Sequence, residues 1–181
     1  MESTYKAEPL SRKTIREITK CLRSLCGIDE HQEFPVVRFM EFLLEKHGYI
    51  YDICSEEELP RDYARTIPAE KILQVRDDVY KEAVNGNTRH IFTIAHEIGH
   101  AILHDFDTVS FARADEKVRI YENPEWQANT FAGELIAPAD TISELSIEEI
   151  AERYNCSMQV ALIQKKNSEP KKKLPNGLKV W

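Results

Sequence analysis

The sequence has no run of about 18 apolar residues, so it offers no segment that would cross a membrane as a helix. Cysteine is scarce: the four residues include no CxxC pair, which excludes a zinc knuckle or a dithiol redox motif. The chain does not open with a basic region followed by an apolar stretch, so we expect no secretory signal. Free thiols in a reducing cytoplasm are the expected state of the cysteines.

Acidic residues outnumber basic ones by 31 to 24, which gives a formal net charge of −7. Residues 164–181 carry six lysines and one glutamate, a local charge of +5, and the rest of the chain therefore carries −12. An acidic body repels nucleic acid, so direct nucleic-acid binding would depend on this basic end alone. The length predicts one domain, which we place at residues 1–168, followed by a flexible basic tail at 169–181.

Apolar periodicity and capping signals predict a mainly helical chain with two short strands, at residues 49–54 and 72–76. The last two helices form a hairpin at about 146–166, which is similar in spacing to a helix-turn-helix. The negative charge of the body favours a plain helical hairpin instead. The predicted helices are residues 11–25 (with Leu25 on its apolar face), 35–47 (ending with His47), 78–84, one that begins near 88, 124–135, 147–154 and 158–166.

Residues 96–100 read HEIGH, an HExxH sequence inside the helix that begins near residue 88. Residues four apart on a helix share one face, with about 6 Å of rise between them, so His96 and His100 can bind one zinc ion. Glu97 lies beside that face, where it can take a proton from water at the metal as a general base. About 0.02 such matches are expected by chance in this composition. Burying these polar groups without a metal would be costly, which also favours a site.

A catalytic zinc needs a third protein ligand, and the predicted helix at 124–135 supplies a candidate. Glu125 and Asn129 share one face of that helix with two alanines, and small residues let two helices approach closely. Glu125 would then face the metal, and Asn129 could orient a ligand. Glu122 and Glu134 are nearby carboxylates, and spacing alone leaves them as alternatives.

His104 lies on the same face as His100, but about 12 Å from His96 along a straight helix, so it is not expected to share their metal ion. It is either an ordinary partnered histidine at the helix end or a residue that contacts the ligands or the substrate. The donor that would stabilise an oxyanion is not singled out by the sequence, and Tyr80, His104 and Tyr121 are all candidates.

Two segments resemble the signature of the ImmA/IrrE family of metallopeptidases. They are RHIFTIAHEIGHAILH at residues 89–104 and the pattern E-x-x-A-N-x-F-A at residues 125–132. The likeness covers most of residues 10–165. It implies that His96, His100 and Glu125 are zinc ligands and that Glu97 is the catalytic base. It also implies an α+β fold, mostly helical and zincin-like of the gluzincin type, with a small β-sheet beside the HExxH helix and a catalytic core at about 72–138.

Members of this family are cytoplasmic bacterial proteins, often encoded on mobile elements or prophages, and are thought to act on helix-turn-helix repressors. The resemblance therefore implies an endopeptidase with one Zn²⁺ per chain that cleaves a protein substrate of this kind. The strand at 72–76 is expected to offer an edge to which an extended peptide adds.

Two competing hypotheses remain open at this stage. A zinc-containing regulator that binds a transcription factor without cutting it would use the same ligands. Direct DNA binding through the C-terminal hairpin and lysines is disfavoured by the charge of the body. No feature of the sequence indicates an oligomeric state.

Overall fold

A computed structural model describes residues 5–44, 46, 48–104, 109–111 and 118–168 of the chain. The predicted role of His47 at a helix end and the predicted basic tail at 169–181 lie outside the described residues. In chain order, the described strands and helices are β1 (Tyr5–Ala7), α1 (Arg12–Leu25), α2 (Val36–Phe39), β2 (Ile50–Cys54), β3 (Ala64–Ile67), β4 (Ile72–Arg76), α3 (Asp77–Val84), α4 (Thr88–Leu103), β5 (Val109–Phe111), α5 (Pro124–Ile136), α6 (Ile147–Arg153) and α7 (Met158–Ser168).

The fold is a mostly helical α+β arrangement with a small sheet beside α4, as expected for a zincin-like protein. Ile94 and Ile98 of α4 are fully buried, and they pack into a core shared with Phe131 and Leu135 of α5. None of the described helices is long and apolar enough to span a bilayer. All four cysteines are free thiols, as predicted.

The small sheet has the strand order β2-β4-β3, with β2 parallel and β3 antiparallel to β4. β4 is therefore the central strand, so the prediction that residues 72–76 offer a free edge is wrong. β3, a strand that the sequence does not predict, packs against α4, and β4 contacts α4 as well. Within the described residues β3 pairs with β4 alone, and β1 and β5 form a separate antiparallel pair.

The predicted helix starts are confirmed by their caps. The side chain of Ser11 accepts a hydrogen bond from the backbone N–H of Thr14 at the start of α1. Ser146 and Glu149 form the predicted capping box at the start of α6. Such caps satisfy N–H groups that have no partner within the helix, and the signal for them is local in the sequence.

Two helix predictions differ from the structure. The segment predicted as one α-helix at 35–47 is a single α-helical turn, α2, followed by a π-helical turn at Met40–Leu44. On α1, Leu25 is 80% exposed, whereas Arg23 is fully buried. The Arg23 guanidinium is held there by backbone carbonyl oxygens, of Leu135 at 2.6 Å and of Asp29 at 2.7 Å, and it lies over the ring of Phe34. The apolar periodicity of α1 predicts that Leu25 is buried, but the buried position is taken by Arg23, whose guanidinium is satisfied by hydrogen bonds to backbone carbonyls.

Candidate metal centre

The close packing of α4 on α5 depends on Gly99, the fourth residue of the HEIGH sequence. A Cβ atom at Gly99 would lie 3.2 Å from the Cα and the carbonyl oxygen of Ala128 and 3.2 Å from a ring carbon of Phe131. The absent side chain lets the backbone of α5 lie against α4. The HExxH face of α4 therefore meets the first turn of α5, which carries Glu125.

Three side chains from the two helices converge at this contact. The Nε2 atoms of His96 and His100 lie 3.1 Å apart. Oε2 of Glu125 is 3.3 Å from Nε2 of His96, and Oε1 of Glu125 is 3.4 Å from Nε2 of His100. Each residue thus offers one atom that could bind a metal ion, and the three atoms lie within 4.8 Å of one another.

The separations of these atoms fit a zinc ion. With ligand bonds of about 2.0–2.1 Å in tetrahedral geometry, neighbouring ligand atoms lie about 3.3 Å apart. The two Nε2 atoms lie 3.1 Å apart, one Glu125 oxygen is 3.3 Å from one of them, and the other carboxylate oxygen is 3.4 Å from the second, so these contacts lie close to that value. Two histidines and a glutamate also form one of the ligand sets of catalytic zinc, which keeps a further position for water or substrate. The side chain of Glu125 is 63% exposed, so the cluster is open to solvent.

The charges of the cluster are strongly coupled. When the imidazoles carry a proton on Nε2, hydrogen bonds from His100 and then His96 hold the pKa of the Glu125 carboxyl well below its usual range. Burial alone would lower the pKa of His96, but the hydrogen bond to Glu125 and the negative charge of Glu97 outweigh it, and the pKa of His96 is raised. The negative charges of Glu125 and Glu97 therefore favour a positive charge beside His96, as expected of a place suited to a cation.

Glu97 is tethered to the small sheet rather than to the cluster. The hydroxyl of Thr66, on β3, has two acceptors on Glu97 for its one proton, the backbone carbonyl oxygen at 2.8 Å and Oε2 at 2.9 Å. Thr66 does not stand out in the sequence, because no sequence signal predicts β3. Its only local signal was the pair of β-branched residues Thr66 and Ile67 before a proline, which is too short to indicate a strand by itself.

Asn129 lies against His96, as expected of a residue that orients a ligand. Its amide nitrogen donates to the carbonyl oxygen of Glu125 at 2.8 Å, and its Oδ1 lies 3.2 Å from Nδ1 of His96. Because the amide is oriented by the Glu125 carbonyl, Oδ1 accepts from Nδ1–H of His96. Nε2 of His96, on the opposite side of the ring, is the atom turned to Glu125.

His104 is a buried histidine that contacts His100, a candidate ligand. α4 ends at Leu103, and His104 has an extended backbone conformation with φ −122°. This turns its side chain back between α4 and α5, where it is 2% exposed. Its Nδ1 lies 3.0 Å from Nδ1 of His100, and its Nε2 lies 2.8 Å from Oε1 of Gln127. Burial lowers the pKa of His104 to about 4.

The two alternative carboxylates lie elsewhere. Glu134 has a fully buried side chain, and the Arg16 guanidinium holds it with two hydrogen bonds of 2.9 and 3.0 Å. Glu122 forms an ion pair with Lys6 at 3.5 Å and accepts from the backbone N–H of Arg119. Neither is in the cluster of three that could hold a metal.

The two tyrosines proposed as oxyanion donors have other partners. The Tyr80 hydroxyl donates to Glu41 at 2.5 Å, an interaction that raises the pKa of Tyr80 to about 12. The Tyr121 hydroxyl accepts from Arg119 at 2.6 Å. The structure thus gives no support to either tyrosine as an oxyanion donor.

A cavity of about 770 Å³ lies beside the cluster, between α1, α4, α5 and α7. Asn129 forms part of its wall, together with apolar side chains such as Phe92, Trp126 and Ile163. None of the four residues His96, Glu97, His100 and Glu125 lines it. The candidate metal centre therefore lies outside the lining of this cavity and next to it.

An HExxH helix packed on a small sheet, with a carboxylate on the next long helix, defines the zincin-like class of metallopeptidase folds. Residues 79–164 match the family model described as peptidase M78, IrrE N-terminal-like domain. This segment runs from α3 to α7 and carries the whole cluster, and the match supports the resemblance to the ImmA/IrrE family. Neither the curated proteins nor the solved structures compared with the chain include a match.

Proposed function

We propose that this protein is a zinc-dependent endopeptidase of the cytoplasm that cleaves a protein substrate, a helix-turn-helix repressor of a mobile element or prophage. One observation supports the reaction type. Glu97 lies on the same helix as His96 and His100, which face Glu125, and Thr66 of β3 holds the Glu97 carboxylate by a hydrogen bond. This arrangement supplies a base and a cation site together. The metallopeptidase family of residues 79–164 supports the same reading.

In the proposed hydrolysis of a peptide bond, the zinc ion and the protein side chains have different roles. A bound zinc ion supplies polarisation of the scissile carbonyl and acidification of water. Glu97 accepts the proton of the attacking water and then delivers it to the leaving amine nitrogen as the C–N bond breaks. Thr66 holds Oε2 of Glu97, and we assign the proton transfer to Oε1.

The edge of β3 is the place we assign to the substrate backbone. β3 packs against α4 and pairs, within the described part of the chain, with β4 alone. An extended peptide that adds to β3 gains backbone hydrogen bonds, and it passes the strand from which Thr66 reaches Glu97. Backbone pairing of this kind predicts modest sequence selectivity.

The test is cleavage of the repressor encoded beside the gene for this protein. Wild-type protein is expected to produce new fragments, whereas Glu97→Gln is expected to bind zinc to the wild-type extent and produce none. Glu122→Gln is the matched control, because Glu122 is a glutamate outside the cluster that is held by Lys6. Normal cleavage by Glu97→Gln would show that the assigned base is wrong. A stable uncut complex with wild-type protein would instead support a regulator that binds without cutting.

A further inference from the structure

We infer that Gln127 and His104 are positioning residues that fix the protonation pattern of His100, so that its Nε2 presents a lone pair to the metal. The inference rests on the proposed metal site. It concerns side chains that do not themselves reach the metal. It follows from the direction of each hydrogen bond in a buried series that runs from Gln127 through His104 to His100.

The chain starts at Gln127, whose amide has only one compatible orientation. Its Nε2 donates to two backbone carbonyl oxygens, of Glu8 and of Tyr121, each at 2.8 Å. An amide nitrogen has two protons, and both are used here. Because carbonyl oxygens only accept, the opposite orientation would place two acceptors against Oε1. Gln127 is fully buried, so water does not offer it other partners.

Each later step follows from the one before. Oε1 of Gln127 accepts, so Nε2 of His104, at 2.8 Å, carries a proton. A neutral imidazole with its proton on Nε2 has an acceptor at Nδ1. Nδ1 of His104 faces Nδ1 of His100 at 3.0 Å, and one of the two must donate, so Nδ1 of His100 carries the proton. Nε2 of His100 is then left with a lone pair.

The same result is reached independently on the other ligand. Asn129 accepts from Nδ1–H of His96, with its own amide oriented by the Glu125 carbonyl. In their neutral forms both imidazoles therefore turn unprotonated Nε2 atoms toward the Glu125 carboxylate, and these two atoms lie 3.1 Å apart. Three lone-pair donors that converge without a proton between them repel one another unless a cation is bound. The hydrogen bonds from Gln127 through His104 to His100 thus leave the Nε2 lone pair of His100 available to bind a metal ion.

The experiment combines nitrogen-15 NMR of the histidines with metal affinity measured by chelator competition. In metal-free wild-type protein at mildly alkaline pH, His100 is expected to show a protonated Nδ1 and an unprotonated Nε2. In Gln127→Leu, His104 loses its acceptor and can turn its proton to Nδ1, which moves the proton of His100 to Nε2. Zinc affinity is then expected to fall about 10- to 100-fold.

Two comparisons separate positioning from simple loss of stability. Gln164→Leu removes another buried glutamine, which bonds to Ala137 and Asn167 and lies outside the cluster. It is expected to leave the His100 tautomer and the zinc affinity unchanged. His104→Phe removes the acceptor for His100 and is expected to weaken zinc binding. His104→Gln retains an acceptor and is expected to restore it.

The outcomes distinguish this inference from the proposed function. If wild-type protein binds no zinc, the proposed function fails, and the tautomer of His100 still tests the hydrogen-bonded chain. If zinc binds and Gln127→Leu leaves the tautomer unchanged, the positioning role is wrong while the metal site stands. A wild-type His100 with its proton on Nε2 would also overturn the inference.

Discussion

The substitution Gly99→Ala tests whether helix packing sets the geometry of the metal site. The new Cβ would lie 3.2 Å from two backbone atoms of Ala128, whereas carbon atoms in ordinary contact lie about 3.5–4.0 Å apart. Backbone atoms of a buried helix do not move individually, so α5 must shift away from α4 by a few tenths of an ångström. Glu125 moves with α5, while His96 and His100 stay on α4.

The energetic effect has two opposing contributions. Overpacking in a core costs about 1–3 kcal/mol, and replacing glycine by alanine inside a helix returns about 1 kcal/mol. We expect a net loss of about 1 kcal/mol in unfolding free energy. Ligand distances in metal sites tolerate about 0.2 Å, which the shift exceeds. If this distortion weakens the free energy of zinc binding by about 1.4 kcal/mol, zinc affinity falls about tenfold.

The assay is urea unfolding together with chelator competition for zinc. Gly133→Ala is the matched control, because the three atoms nearest to its Cβ would all belong to the side chain of Gln164, the closest at 3.0 Å. It is expected to leave the zinc affinity unchanged. A Gly99→Ala variant that binds zinc as tightly as wild type would refute the claim that the close approach of α5 sets the site.

Two further predictions follow from single contacts. Thr66→Val removes the hydrogen bond to Glu97, and we expect turnover to fall about fivefold with zinc content unchanged, while Thr66→Ser retains both. A loss of zinc with turnover would contradict this role. Arg16→Met leaves the buried carboxylate of Glu134 without its main partner, and urea unfolding should show a loss of about 3 kcal/mol. Adding Glu134→Leu should recover most of it, and no recovery would argue against a buried ion pair.

Features encoded by neighbouring residues were predictable from the sequence. The caps at Ser11, Asn123 and Ser146 are local signals, and they place the starts of α1, α5 and α6 correctly. The HExxH spacing likewise places His96 and His100 on one face of α4, because helical geometry is regular.

Features that depend on contacts distant in sequence were not predictable in the same way. β3 has four residues and forms by pairing with β4, so neither Thr66 nor the central position of β4 was evident. Gln127 is a single polar residue in a buried helix, and its importance depends on where Glu8 and Tyr121 lie. The choice of Glu125 over Glu134 needed the resemblance, and the structure adds that Arg16 holds Glu134 elsewhere.

The metal content of purified protein tests the central claim most directly. Wild-type protein prepared without chelator is expected to contain about one zinc ion per chain, and folded Glu125→Ala is expected to lose it. Glu122→Ala, which removes a carboxylate outside the cluster, is expected to retain it. Folded wild-type protein without zinc, or Glu125→Ala with full zinc content, would contradict the assignment of His96, His100 and Glu125 as ligands.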